Sequence, residues 1–176
     1  MTTAAEWRVE LDPAATSIRF TLGATLHTVD GRVSLFSGSL RLDPETGAVA
    51  GEIVVEAASA DTGNTSRDED MHAKVLKSGT YPRIVLRPER LEGELEAQGT
   101  SAVQLEGRME LAGTTHEITI PVDVTVDGSS FSATAEFTVP YVEWGLEDPS
   151  KLLLRVAKVV HLTVAAEGSV AVADPD

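Results

Sequence analysis

Apolar and polar residues alternate along most of this chain, and a period of two restricts those stretches to strands with one apolar face. From Glu117 to Val126, Ile118, Ile120, Val122, Val124 and Val126 fall on one side. Glu117, Thr119, Asp123 and Thr125 fall mostly on the other. Ile18, Phe20 and Leu22 alternate with Arg19 and Thr21, and Phe36, Gly38, Leu40 and Leu42 share one face of Val33 to Leu42. Val49 to Ala57 returns as a third strand. Ile84 and Leu86 stand opposite Arg83, Val85 and Arg87, which predicts that the two arginines point outward. Val103 to Leu111, Phe131 to Val139 and Val159 to Ala166 continue the pattern, and the residues after Gly168 read as loose. The connections are short turns. In Asp43-Pro44-Glu45-Thr46-Gly47 proline sets one angle and glycine allows positive φ, and Asp127-Gly128 is a strong hairpin signal. Such short links make neighbouring strands antiparallel.

Strands of this number form a sandwich or a closed barrel. Each has a single apolar face, and several inward positions are small: Ala57, Ala133, Ala135 and Gly38. Small side chains leave room where large ones would fill a barrel, which favours a barrel with space inside. The expectation is an all-β chain, with one antiparallel barrel domain over residues 1–170 and a tail over 171–176.

One stretch departs from alternation. In Asp61 to Pro82 the apolar positions Met71, Val75 and Leu76 fall at helical spacing. Ser66 with Glu69 has the form of a capping box. Asp68, Glu69 and Asp70 suit the positive end of the helix dipole, and Lys74 and Lys77 the other end. Gly79 suits a left-handed cap, with Pro82 beyond it. The pattern predicts one helix over about residues 66–78, about three turns long, placed to close the mouth of a barrel with Met71 and Val75 facing inward. Arg67 and Asp68 at its start read as structural, with Asp68 toward the amide end and Arg67 on a loop carboxylate or carbonyl. The alternative is that Arg67 meets a ligand headgroup.

The chain has 176 residues, enough for one domain with a sizeable core. It lacks cysteine, so it has no disulfide framework and no thiolate metal site. The start, before Trp7, has neither a basic end nor an apolar run, and no stretch reaches the length of a membrane span. A soluble, cytoplasmic protein is expected. The formal charge of −14 argues against nucleic acid and anionic membranes as partners. Basic residues nevertheless cluster at Lys74, Lys77, Arg83, Arg87 and Arg90, and again at Lys151, Arg155 and Lys158. They either pair with surplus carboxylates or ring the barrel mouth, where they would meet a phosphate headgroup.

Catalytic signals are sparse. His27, His72, His116 and His161 lie in four segments without metal-type spacing; His72 near Asp68 and Glu69 is the one candidate for an ion. There is no nucleophile elbow and no phosphate loop. No catalytic residue, metal or cofactor is expected, and a binding scaffold is favoured over an enzyme.

The ordered set of local patterns resembles a known family. Trp7-x-Val9-x-x-Asp12-Pro13, then Ser17-Ile18-x-Phe20, Asp61-Thr62-Gly63-Asn64, Arg67-Asp68, Met71-His72, Tyr81-Pro82 and Gly107-x-Met109-x-Leu111-x-Gly113-x-Thr115 are similar to the YceI-like polyisoprenoid-binding proteins, from Trp7 to Gly168. The resemblance implies an extended lipocalin-like barrel with an apolar lumen, a bound polyprenyl lipid or quinone tail, frequently a homodimer, and no catalytic residues. The chain departs from the family at Val75-Leu76, where aromatics are common, and in Asp148-Pro149-Ser150-Lys151 with Leu152, Leu153 and Leu154. The favoured function is therefore a carrier of an isoprenoid-type lipid. Phe20, Leu22, Phe36, Leu40, Ile53, Val55, Ile84, Leu86, Phe137 and Leu162 would line the lumen, and Met71 and Val75 would close it. Two alternatives remain: a packed barrel acting in protein interaction or stress response, and an enzyme with His72, His116 or His161 as base.

Overall fold

The computed structural model describes residues 6–25, 28–150 and 155–173. Among these, the strands are β1 (Glu6–Leu11), β2 (Ser17–Leu22), β3 (Val29–Leu42), β4 (Val49–Asp61), β5 (Arg83–Glu92), β6 (Gly99–Leu111), β7 (Thr114–Asp127), β8 (Ser130–Val139) and β9 (Val160–Ala173). A helical segment between β4 and β5 begins as α1 (Thr65–Asp70) and continues as a π-helix, Met71–Leu76.

Every pairing is antiparallel, and the sheet closes on itself. β1 and β2 share one place in the wall. At one end β1 lies between β3 and β9, with Trp7 opposite Leu42 and Val172. At the other end β2 lies between the same two strands, with Phe20 opposite Gly31 and Leu162. The nine strands thus occupy eight positions around a closed barrel. The break between β1 and β2 is a single 3-10 turn at Pro13–Ala15. Proline has no amide to give to a ladder. The Asp12 carboxylate accepts from the Ala14 amide at 3.0 Å, and the Asp12 amide donates to the Glu167 carbonyl at 2.8 Å, which keeps the turn in the wall.

Three details differ from the alternation pattern. The last strand does not stop at Ala166. Residues Gly168 to Ala173 pair with β1, so the segment after Gly168 is wall and not tail. In β3 the register with β4 shifts between Leu35 and Ser37. One extra residue at such a bulge reverses which face follows. Val33 and Leu35 therefore face the interior before the bulge, Leu40 and Leu42 after it, and Phe36 is left outside, 48% exposed. Its ring lies under the Arg83 guanidinium, 3.8 Å away. Gly38 does face inward, but the Leu11 side chain lies over it, so it adds no space to the lumen.

The helical segment also departs from expectation at both ends. Asn64, not Ser66, is the N-cap; its side chain accepts from the Arg67 amide at 3.0 Å. At the far end the left-handed residue is Lys77 (φ 52°), two residues before Gly79, because the wider π turn carries the Lys77 amide to the His72 carbonyl. Lysine in that conformation lacks the freedom that glycine has.

The basic run around β5 is largely paired on the outside. Arg87 sits 3.5 Å from Glu52 and 3.1 Å from Glu110, Arg90 3.6 Å from Glu92, and Lys74 3.6 Å from Asp70. These pairs are solvent-exposed, and such pairs contribute little stability.

Candidate functional site: the barrel lumen

The inward side chains leave a cavity of about 920 Å³ along the barrel axis. This is near the upper end for small-molecule sites, which run to about 1,000 Å³. At one end Trp7, Leu42, Val126, Phe131 and Val170 are buried against one another, with Val9, Val49 and Leu91 packed around them. At the other, Met109, Leu111, Val139, Tyr141 and Leu146 form a second cluster under the helical segment.

Most of the side chains that alternation assigns to the lumen do line it. Phe20 and Leu22 come from β2, Leu40 from β3, Ile53 and Val55 from β4, Ile84 and Leu86 from β5. Phe137 comes from β8, Leu162 from β9, and Met71 and Val75 from the π-helix. Phe36 does not, for the reason given above. Phe20 reaches across its partner: a methyl group on Gly31 would stand 2.2 Å from the Phe20 ring. Only glycine at that position lets the ring lie there. Ala133 and Ala135 line the cavity and keep it wide, while Ala57 is buried outside the cavity lining.

The charged residues of the lining are concentrated at one end. Among the described residues they are Arg67, Asp70 and Lys74 from the helical segment and Glu147 and Asp148 from the loop before β9. Thr62 organises the first of these. Its amide donates to both Asp68 oxygens, at 3.0 and 3.2 Å, and its hydroxyl donates to Asp68 Oδ1. The same hydroxyl accepts from Arg67 Nε at 2.9 Å, and the Thr62 carbonyl accepts from an Arg67 Nη at 3.2 Å. Burial pushes the Asp68 carboxyl up, but the Thr62 bonds, helped by Asp61 and the Arg67 charge, bring it below the usual aspartate value. Arg67 thus finds the loop carbonyl expected of it, and it also reaches the cavity.

The loop is tied down at several points. The Tyr141 hydroxyl donates to the Ala157 carbonyl at 2.7 Å. Burial, aided by the Asp148 charge, pushes that phenol up to about 12. Asp148 accepts from the Ser150 amide at 2.9 Å; bonds from Ser150, offset in part by burial and aided by Lys158, hold its carboxyl below the usual value. Trp144 stacks on His116, with ring centres 4.4 Å apart and planes 7° from parallel.

The histidines do not converge. His72 Nε2 lies 2.8 Å from the Ala60 carbonyl, which can only accept, so that nitrogen carries the proton and Nδ1 accepts from Ser78 Oγ at 2.9 Å. His116 bonds the Thr114 hydroxyl at 3.0 Å, and His161 lies 3.8 Å from Glu136 on the outer surface. His27, Lys151 and Leu152 to Leu154 lie outside the described residues. Among the described residues no three His, Asp or Glu side chains are grouped to hold a metal, and no helix is long and apolar enough to cross a membrane.

The sequence model of the YceI-like domain matches residues 9–168. The chain belongs to the YceI-like family. Its barrel is similar to that of Burkholderia cenocepacia BcnA, with a TM-score of 0.76 at 17% identity over 90% of this chain and 99% of that one. A polyisoprenoid binding domain from Saccharophagus degradans, implicated in plant cell wall breakdown, matches with a TM-score of 0.70 at 16% identity over 95% and 98%. A Campylobacter jejuni YceI protein matches at 0.65 and 15%, over 82% and 86%. These likenesses are of fold. Among curated proteins no sequence matches. The YceI-like barrel is thus the frame in which the cavity sits, and the charged end at the helical segment is what periodicity did not reveal. Glu147 and Asp148 lie in an irregular loop, where no spacing marks which side chains turn inward.

Proposed function

We propose that this chain binds and carries a long apolar lipid, a polyprenyl or quinone-type isoprenoid chain, in the barrel lumen. The observation that carries the reading is the cavity of about 920 Å³ with an apolar wall and its charged groups at one end. Water at liquid density would fill that space with about 30 molecules, most of them facing side chains that offer no hydrogen bond. An alkyl or prenyl chain of comparable volume releases that water, and burial contributes roughly 0.8 kcal/mol per methylene. Such a chain needs no polar partner along its length. The likeness in fold to a polyisoprenoid binding domain supports the same class of ligand.

The experiment is an organic extract of the purified protein read by mass spectrometry, with the intact complex weighed in parallel. The reading predicts a prenyl-containing species at one per barrel, lost on extraction. An extract with no apolar chain, from a protein that also takes up none when one is supplied, would leave a packed barrel as the better description.

A further inference from the structure

A lipid with a polar head has one place in this cavity to put charge. Arg67, Asp70, Lys74, Glu147 and Asp148 all lie at the helical end; away from it the lining is apolar apart from hydroxyls such as Thr16 and Thr134. The balance of those charges is two cations against three carboxylates. Lys74 is 3.6 Å from Asp70, so its charge is answered within the helical segment.

Arg67 differs. Thr62 holds Nε and one Nη, and Asp68 in turn holds Thr62, so the guanidinium is fixed in direction. Its other Nη makes no hydrogen bond among the described residues, which leaves donors for a ligand. Glu147 has neither a hydrogen bond nor an ion pair among the described residues, which leaves an acceptor. The Asp148 carboxyl is held in its charged form by Ser150. Arg155 and Lys158 are exposed and do not line the cavity, so they do not reverse this balance.

We infer that this end of the lumen selects a neutral head that accepts from Arg67 and donates to a rim carboxylate, an alcohol or phenol hydroxyl, and disfavours a phosphate. The inference rests on the lumen being a lipid site. A phosphate at the rim meets Arg67 together with two or three carboxylates, in a chain of net charge −14. Charges in a partly buried mouth are screened less than those on an open surface.

The test compares geranylgeraniol with geranylgeranyl monophosphate, titrated into lipid-free full-length protein at low and high salt. The alcohol is expected to bind at least tenfold more tightly at low salt, with the gap narrowing as salt rises. Glu147→Gln with Asp148→Asn should narrow it further by raising phosphate affinity. Arg67→Gln should weaken the alcohol beyond any change in melting temperature seen without ligand. Equal or tighter binding of the phosphate, or an unchanged ratio in the double variant, overturns the inference while leaving the lumen as a lipid site. Binding of neither compound removes the lipid site itself, and the inference with it.

Discussion

Ala135→Leu is expected to stabilise the lipid-free protein and to shorten the chain it accepts. Ala135 faces the lumen from the middle of β8, between Val122 and Val164, both of which line the cavity. Leucine adds three carbons. At roughly 0.8 kcal/mol per buried methylene they contribute about 2.4 kcal/mol as an upper figure. The denatured chain already buries part of that surface and leucine loses rotamer freedom, so about 1–2 kcal/mol remains. In a lumen packed to crystal density the same three carbons would force strain costing about 1–3 kcal/mol. The sign therefore separates an open lumen from a filled one. Urea unfolding of extracted protein, followed by far-UV dichroism, measures it as a shift in midpoint at constant m-value. A lower midpoint for the variant would refute the claim that the space is empty and apolar.

Other consequences follow from single residues. Phe36→Ala should cost only about 0.5–1 kcal/mol, the scale of its exposed contact with Arg83, and leave lipid uptake unchanged; a lumen phenylalanine such as Phe137, cut to alanine, should cost several-fold more. Asn64→Ala should lower stability by about 1 kcal/mol as a lost N-cap, while Ser66→Ala should shift the urea midpoint by less than half as much. Asp68 titrates below its unfolded value, so its contribution is present above about pH 3.9 and is lost as pH falls through the lowered folded value. Asp68→Asn should flatten that part of a stability-versus-pH curve and reduce stability at neutral pH; an unchanged acid limb would show the Thr62 bonds to be unimportant.

Much of the barrel is legible in the sequence because inward and outward side chains alternate, and the turns at Asp127-Gly128 and Asp43 to Gly47 set the pairing. The errors sit where a local event breaks the period. One inserted residue beside Phe36 reverses the face of half of β3, and nothing in the composition of Leu35-Phe36-Ser37 marks it. The strand after Gly168 looked loose because Ser169, Ala171 and Ala173 are small. Its pairing with β1 comes from closure of the whole sheet and not from its own pattern. At the helical segment both Asn64 and Ser66 have capping side chains, and only the direction of the chain leaving β4 decides between them. The wall of the site was readable by parity; its charged end was not. Arg67 reaches the cavity through a hydrogen-bond path to Thr62 and Asp68, and Glu147 and Asp148 through the course of a loop without period.

The most direct test of the central claim is a titration of lipid-free protein with prenyl alcohols of increasing length. Each added carbon that enters the lumen contributes up to about 0.8 kcal/mol, so affinity should rise by as much as tenfold for roughly every two carbons. It should then level off once the cavity is full, and level off earlier in Ala135→Leu. Affinity that does not depend on chain length, or a plateau that Ala135→Leu does not move, would contradict the lumen as the binding site.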